Sequence, residues 1–328
     1  MAVFTRITQN ELQQWLSNFS CGELLSYEGI ESGIENTNYF VNTTQGRFVL
    51  TLFEKLTASE LPFYLQLMQH LAQHKLPVAY PIQSKHQQLF LSLKNKPAAL
   101  VACLPGQSIH QPNAQQCHAI GQFAAKAHLA VHNFKGHLIN PRNLTWISQA
   151  ATELRPYLPD ELRALLLDEI EYQTQTSHSE EYKTLAKGAV HCDLFRDNAL
   201  LQGDHIGGVI DFYFAGIDTF LYDLCVIAND WCICQTSKEL QIDLTSALIQ
   251  GYSQFRTFSS AELALWPAQL RLAALRFWTS RLYDYYMPRQ ATVLNLKDPT
   301  HFQTLLQKRQ HQQNTPSLQH LTQLRKST

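Results

Sequence analysis

The sequence predicts an α+β fold: a small antiparallel β-sheet part at the N-terminal end, with helices, then a larger, mainly α-helical part. Three observations predict it. Short apolar runs separated by turn residues cluster before residue 103. Apolar residues recur at helical spacing from Asn113 almost to the end of the chain. Within that helical part, residues 190–212 break into two short apolar runs around a polar, glycine-bearing turn. At 328 residues the chain is long enough for one large domain or two lobes.

The elements follow in order. Thr8 caps a short helix reaching Phe19, with Leu12, Trp15, Leu16 and Phe19 on one stripe. Strands are expected over 23–28, 38–43 and 47–53, the last pair turning at Thr44-Gln45-Gly46. Residues 61–73 carry Leu61, Tyr64, Leu65, Met68 and Leu71 at steps of three and four, a core-packing helix. Strands over 89–93 and 98–103 pair across Lys94-Asn95-Lys96-Pro97. Leu104-Pro105-Gly106 then breaks the pattern, which sets the two expected lobes as 1–103 and 104–328.

In the second lobe Asn113 caps a helix over 114–132, whose Gly121, Ala124, Ala125 and Ala127 form a face for close helix contact. His128 and His132 are four apart but lack a third ligand, so they read as structural or solvent-facing. Pro159 and Asp160 open a helix to Gln173, and residues 174–179 read as a polar break. Helices are expected over 222–234, 240–255 and 261–286. One last docked helix around Phe302, Leu305 and Leu306 lies in the Gln-rich tail.

Composition excludes several classes. A formal net charge of −1 gives no electrostatic case for nucleic-acid binding. The N-terminal residues lack an apolar signal segment, and no run approaches the ~18 apolar residues of a membrane span. The seven cysteines, with Cys192, Cys225, Cys232 and Cys234 in apolar or catalytic stretches, read as free thiols of a cytoplasmic protein.

Chemistry concentrates in His191-Cys192-Asp193-Leu194-Phe195-Arg196-Asp197-Asn198 and Ile210-Asp211-Phe212. A hairpin turn centred between Asp204 and His205 sets Asn198 opposite Asp211, with Cβ atoms ~5 Å apart. An amide oxygen and a carboxylate so placed suit Mg²⁺, which takes oxygen ligands. Asp193 enters from the preceding loop and stays available to orient an attacking hydroxyl. That division of labour serves phosphoryl transfer from metal-bound ATP.

His-x-Asp-x-x-x-x-Asn followed by Ile-Asp-Phe resembles the catalytic and metal loops of the aminoglycoside-phosphotransferase and choline-kinase group, distant relatives of protein kinases. Residues 210–216, Tyr222-Asp223-Leu224, Asn229-Asp230-Trp231-Cys232, residues 33–40, Arg276-Phe277-Trp278 and Arg281-Leu282-Tyr283 are similar to one branch, the bacterial homoserine kinases of this fold. The resemblance spans roughly residues 20 to 310 and implies a bilobal, protein-kinase-like fold. It also implies ATP-dependent phosphorylation of L-homoserine, a step of threonine biosynthesis. Asp193 and His191 are then catalytic, His191 by fixing the loop. Asn198 and Asp211 hold Mg²⁺, and Asp223 accepts hydrogen bonds from catalytic-loop backbone. Residues 29–37 cover the phosphates, with Ser32, Asn36 and Thr37 as donors, although such a stretch is also an ordinary hairpin connection. Adenine meets backbone between Ala102 and Leu104. The phosphate-binding lysine of the wider group is missing: Thr51 stands at its strand position, with Lys55 beyond, and no lysine–glutamate pair is assigned.

A free amino acid requires an anion seat and a cation seat. Arg196, Arg276 and Arg281 are candidates for its carboxylate, and Asp218, Asp230 and Asp284 for its ammonium. Tyr213 and Trp231 are candidates for the pocket wall. Two other readings stay open: a kinase of this fold for an aminoglycoside, choline or protein serine, and a non-catalytic kinase-like binding module.

Overall fold

The structure is a computed structural model and describes residues 4–31, 35–287, 297–311 and 316–323. It divides into two compact units, residues 1–106 with 207–210, and residues 107–206 with 211–328. Among the described residues no helix is long and apolar enough to cross a membrane. All seven cysteines carry free thiols.

The first unit is built on a five-stranded antiparallel sheet, with β1 (Leu24–Gly29), β2 (Thr37–Thr43), β3 (Gly46–Leu52), β4 (Leu91–Leu93) and β5 (Lys96–Ala102) in the order β1-β2-β3-β5-β4. In β2 every second residue is buried, and Tyr39 pairs Leu50 while Leu50 pairs Leu100. This period of two turns one face onto Leu12, Trp15, Leu16 and Phe19 from the N-terminal segment. Helix α1 (Gln9–Leu16) starts at a capping box between Thr8 and Glu11 but stops before Phe19, which leaves to bridge Ser84. Helix α2 (Leu61–Gln73) matches its expected bounds. The β4–β5 turn is shorter than expected. Lys94 and Asn95 both have positive φ, 54° and 60°, so two residues suffice and Lys96 and Pro97 join the strand. Residues 207–210 attach here through the Val209 N–H donated to the Pro77 carbonyl at 2.8 Å.

The second unit is helical: α3 (Ala114–Ala130), α4 (Leu144–Leu154), α5 (Asp160–Ser177), α6 (Glu180–Lys183), α7 (Phe220–Trp231), α8 (Ile242–Ser253), α9 (Ser260–Tyr286), α10 (Thr300–Gln310) and α11 (Leu318–Gln323). Two short ladders lie among them, β6 (Lys187–Val190) with β9 (Gly216–Thr219), and β7 (Ala199–Gln202) with β8 (His205–Val209). Helix α4 was not expected. The anticipated polar break after Gln173 is instead the last turn of α5. There the hydroxyls of Thr174, Thr176 and Ser177 donate back to carbonyls of the preceding turn, so polar residues continue the helix.

The small-residue face of α3 meets α8 so closely that two glycines have no room for a side chain. A Cβ on Gly121 would lie 2.2 Å from the Leu248 carbonyl oxygen, and one on Gly251 would lie 2.0 Å from that of His118. Both obstacles are backbone, which yields only if the helices separate. Gly251→Ala is therefore expected to destabilise the protein by about 3 kcal/mol, at the upper end of overpacking effects, read as a lowered urea midpoint. An unchanged midpoint would mean that this contact contributes nothing to stability.

Candidate active site

Strand pairing sets the two motifs side by side. In the β6–β9 ladder Val190 is opposite Gly216, so the loop that begins at His191 and the turn that ends at Ala215 leave the ladder at the same end. The His191 and Phe212 rings meet there at 4.5 Å. The hairpin that follows the loop turns at Gly203-Asp204, one residue earlier than expected. Asn198 and Asp211 consequently lie just outside its two strands rather than facing each other within the ladder. Asn198 ends a 3₁₀ turn, and Asp211 adopts a left-handed conformation, φ 62° and ψ 55°. A second non-glycine residue, Cys192, has φ 63°. Such conformations are unfavourable for L-residues and persist where neighbours enforce them.

The enforcing neighbours come largely from α7. Asp223, 2% exposed, accepts the Cys192 N–H at 2.8 Å through Oδ1, and its Oδ2 lies 2.9 Å from His128 Nε2. His128 in turn stacks on Phe220 and bonds the Tyr252 hydroxyl at 2.8 Å. Burial alone would raise the Asp223 carboxyl, but the bonds from His128 and Cys192 hold it below its ordinary value. Two helical turns further on, Asp230 accepts the Arg196 backbone N–H at 2.8 Å and its guanidinium at 3.0 and 3.2 Å. Arg196 also donates to the His110 carbonyl. Trp231, 1% exposed, donates Nε1–H to the Leu194 carbonyl at 3.2 Å. Thus Arg196 and Asp230 are joined to each other, and Trp231 clamps the loop from below. Burial raises the Asp230 carboxyl, with Arg196 opposing.

Asp193 sits at the centre of this frame. Asn198 Nδ2 donates to its carbonyl at 2.8 Å and to Oδ2 at 3.4 Å, so the amide's own oxygen points elsewhere. His191 is buried and its Nδ1 accepts the Asp193 N–H at 3.3 Å. Arg276 of α9 brings Nη1 to 3.7 Å from Asp193 Oδ1. Burial raises the Asp193 carboxyl, opposed chiefly by the positive charge of Arg276. Arg281, one turn along α9, is held below the usual guanidinium range by burial, with Asp193 opposing. Cys192 is fully buried, and burial pushes its thiol well up, away from the thiolate form. Tyr213 lies in the 3₁₀ turn directly after Asp211, part-buried.

In the first unit, Ser32 lies outside the described residues, and Asn36 is part-buried just before β2. Thr37 is fully buried: its hydroxyl donates to Glu54 at 2.6 Å and accepts the Phe4 and Thr5 N–H groups. Glu54 pairs with Lys96, a lysine on β5 that sequence reasoning did not single out. Lys55 pairs instead with Glu35 at 2.9 Å. Thr51 is 3% exposed and donates to Asn38 Oδ1 at 2.8 Å. Ala102 gives its N–H to the Tyr80 carbonyl, and Leu104 packs on Gly208. Sequence reasoning also left out Asn140, whose Nδ2 donates to Asp218 at 2.7 Å; an Asn-Pro dipeptide at an apparent loop was its only signal.

Solved structures share this fold. An amicoumacin kinase, solved in complex with AMP-PNP, Ca²⁺ and Ami, matches 96% of this chain and 98% of its own with a TM-score of 0.71 at 16% identity. Plasmodium vivax ethanolamine kinase matches 94% and 85% with a TM-score of 0.63 at 13% identity. The architecture is therefore that of the protein-kinase-like phosphotransferases, as the resemblance implied. A profile of the phosphotransferase enzyme family matches residues 26–258, and the chain belongs to that family. Within it the chain is similar to homoserine kinases. That of Janthinobacterium sp. (strain Marseille) is 44% identical over 316 residues, 96% of this chain and 98% of the relative. That of Cupriavidus necator is 44% identical over 318 residues, 94% and 96%.

Proposed function

We propose that the chain is a homoserine kinase, transferring the γ-phosphoryl group of ATP to the side-chain hydroxyl of L-homoserine and releasing ADP and O-phospho-L-homoserine, a step of threonine biosynthesis. The observation that carries the reading is 44% identity over nearly the whole of two homoserine kinases in a chain whose Asp193 loop is intact. Asp193 accepts a hydrogen bond from the acceptor hydroxyl and aims its oxygen at the γ-phosphorus. The new O–P bond forms as the bridging bond to ADP breaks. In a loose transition state the hydroxyl is still nearly neutral, so Asp193 takes its proton late. His191 fixes the loop by receiving the Asp193 N–H.

Asn198 and Asp211 fit a hard divalent cation. Asn198 spends its amide nitrogen on Asp193 and retains its carbonyl oxygen, and Asp211 is an exposed carboxylate. Two protein oxygens are what Mg²⁺ needs when phosphates and water complete its shell. When bound there, Mg²⁺ neutralises phosphate charge that builds during transfer. The N-terminal lobe, 1–103 in our assignment, supplies the nucleotide cover through Asn36 and the backbone near Ala102, and Leu104 adds backbone just past its boundary. The enzyme acts on small molecules and is cytoplasmic.

A non-catalytic binding module is the alternative that Thr51 favours, since a buried hydroxyl stands where the wider group has a cation. ADP release decides between the readings. With ATP and Mg²⁺, turnover is expected with homoserine and at least about 10²-fold less with serine, choline, an aminoglycoside or casein. No turnover with any of them would support the module.

A further inference from the structure

The helical unit contains a cavity of about 430 Å³, lined by α4, α5, α6, β6, β9, α7 and α9 and the loop before α4. Its charged lining is Arg142, Lys187, Asp218 and Arg276, and its polar lining includes Asn140 and Tyr222. Two of these groups lack what a buried polar group needs. The Tyr222 hydroxyl and Arg276 Nε, on residues 2% and 4% exposed, find no hydrogen-bond partner among the described residues. A polar ligand would give each the partner it lacks.

The charges say which ligand. Three cations and one carboxylate face a space of this size, a pattern for a small molecule that carries an anion and one ammonium. A polycation would meet three like charges, and a neutral sugar has no use for a guanidinium. The carboxylate is rigidly set. Asp218 Oδ2 accepts Asn140 Nδ2 at 2.7 Å and Oδ1 accepts the Thr219 N–H at 2.7 Å. Asn140 is itself fixed, its N–H donated to the Ile217 carbonyl and its Oδ1 receiving the Arg142 N–H at 2.8 Å. Gly216 allows the approach, since a Cβ there would lie 2.5 Å from Asn140 Cα. Each Asp218 oxygen retains a lone pair for a further donor.

We infer that this cavity seats the amino-acid end of the acceptor, with Arg276 pairing its α-carboxylate and Asp218 its ammonium. The inference rests on the homoserine reading above and assigns its recognition residues. Arg276 is a wall shared with the catalytic loop: its guanidinium carbon is 3.8 Å from the centre of the Phe277 ring, the residue lines the cavity, and Nη1 reaches to 3.7 Å from Asp193. From carboxyl carbon to hydroxyl oxygen, homoserine spans four bonds, about 5 Å when extended at ordinary bond lengths. Because Arg276 also approaches Asp193, a molecule held there by its carboxylate has a chain long enough to carry its hydroxyl toward that residue.

The test removes each charge from the substrate and from the protein. Initial rates are measured with homoserine, with 4-hydroxybutanoate (no amine) and with 3-aminopropan-1-ol (no carboxylate). Wild type is expected to prefer homoserine over each by at least about 10²-fold in kcat/KM. Asp218→Asn should bring the preference over 4-hydroxybutanoate to within about tenfold and leave that over 3-aminopropan-1-ol high. Arg276→Gln should do the reverse. Each ratio is taken within one preparation, so a partly unfolded variant reports the same value. If a variant is too slow to assay, calorimetry replaces rates: lost homoserine affinity with ATP affinity retained supports the assignment, and retained homoserine affinity overturns it. Unchanged ratios in both variants likewise overturn the assignment while wild-type turnover of homoserine leaves the kinase reading standing. Absence of that turnover in wild type would remove both.

Discussion

Asp193→Ala is expected to lower kcat by about 10³-fold, within the range for loss of a positioned general base, and to leave ATP affinity within about twofold. The loss corresponds to about 4 kcal/mol of transition-state stabilisation. The side chain faces Arg276 and Asn198, so its removal takes away the acceptor's hydrogen-bond partner without touching the first unit. ADP release under saturating substrate, with nucleotide binding measured separately, checks both halves. Near-wild-type kcat would end the assignment. The same carboxyl sets a pH limb. Burial raises it above the ordinary aspartate value, chiefly against the pull of Arg276. The ionised form is the working one, so kcat/KM should fall as pH drops through that raised value, earlier than an ordinary aspartate would impose. Arg276→Gln removes the strongest opposing charge and should move the limb to still higher pH.

Why some of this was readable in the chain and some was not follows from what each residue contacts. Alternation in residues 37–43 and the three–four spacing of residues 61–73 are local patterns, and both elements form as read. Helix α4 has an Asn143 cap and apolar residues at Leu144, Ile147, Ala151 and Leu154, yet its Thr145, Ser148 and Thr152 look like loop. Two of those hydroxyls donate to carbonyls one turn back, a partner that composition does not reveal. Thr37 and Thr51 drew notice as hydroxyls on the right strands. Where those hydroxyls go depends on Glu54 and Asn38, 17 and 13 residues away. Arg196 and Asp230 are 34 residues apart, and either charge alone suits an amino-acid ligand; only the folded loop shows them satisfying each other. The cavity draws on seven elements, so no window of sequence contains it. By contrast, Asp193 and Asn198 are five residues apart in one loop, and the contact between them is as local as a helix turn.

Asp223→Ala is expected to destabilise the protein by about 3–5 kcal/mol, the cost of breaking a buried polar pair, and to lower kcat as well. Asp223 is the partner that holds Cys192 in its left-handed conformation, through an N–H bond of 2.8 Å. Without that acceptor the Cys192 N–H is buried and unsatisfied, and the left-handed conformation, worth roughly 1–2 kcal/mol against an L-residue, loses its support. The adjoining residue is Asp193, so relaxation of Cys192 moves the proposed base. His128 would also face an empty space at Nε2. Asp223→Asn keeps one acceptor oxygen, for Cys192 or for His128 but not for both, and should fall between wild type and alanine. Acid supplies an independent check. The folded carboxyl is depressed, so its contribution is fully present above the unfolded value of about 3.9 and is lost as pH falls through the folded value. The stability difference between wild type and Asp223→Ala, measured in urea, should therefore shrink when the pH is lowered from 7 to 3. A difference that stays constant would mean that the carboxylate charge contributes nothing, and that Asp223 acts on the loop by shape alone.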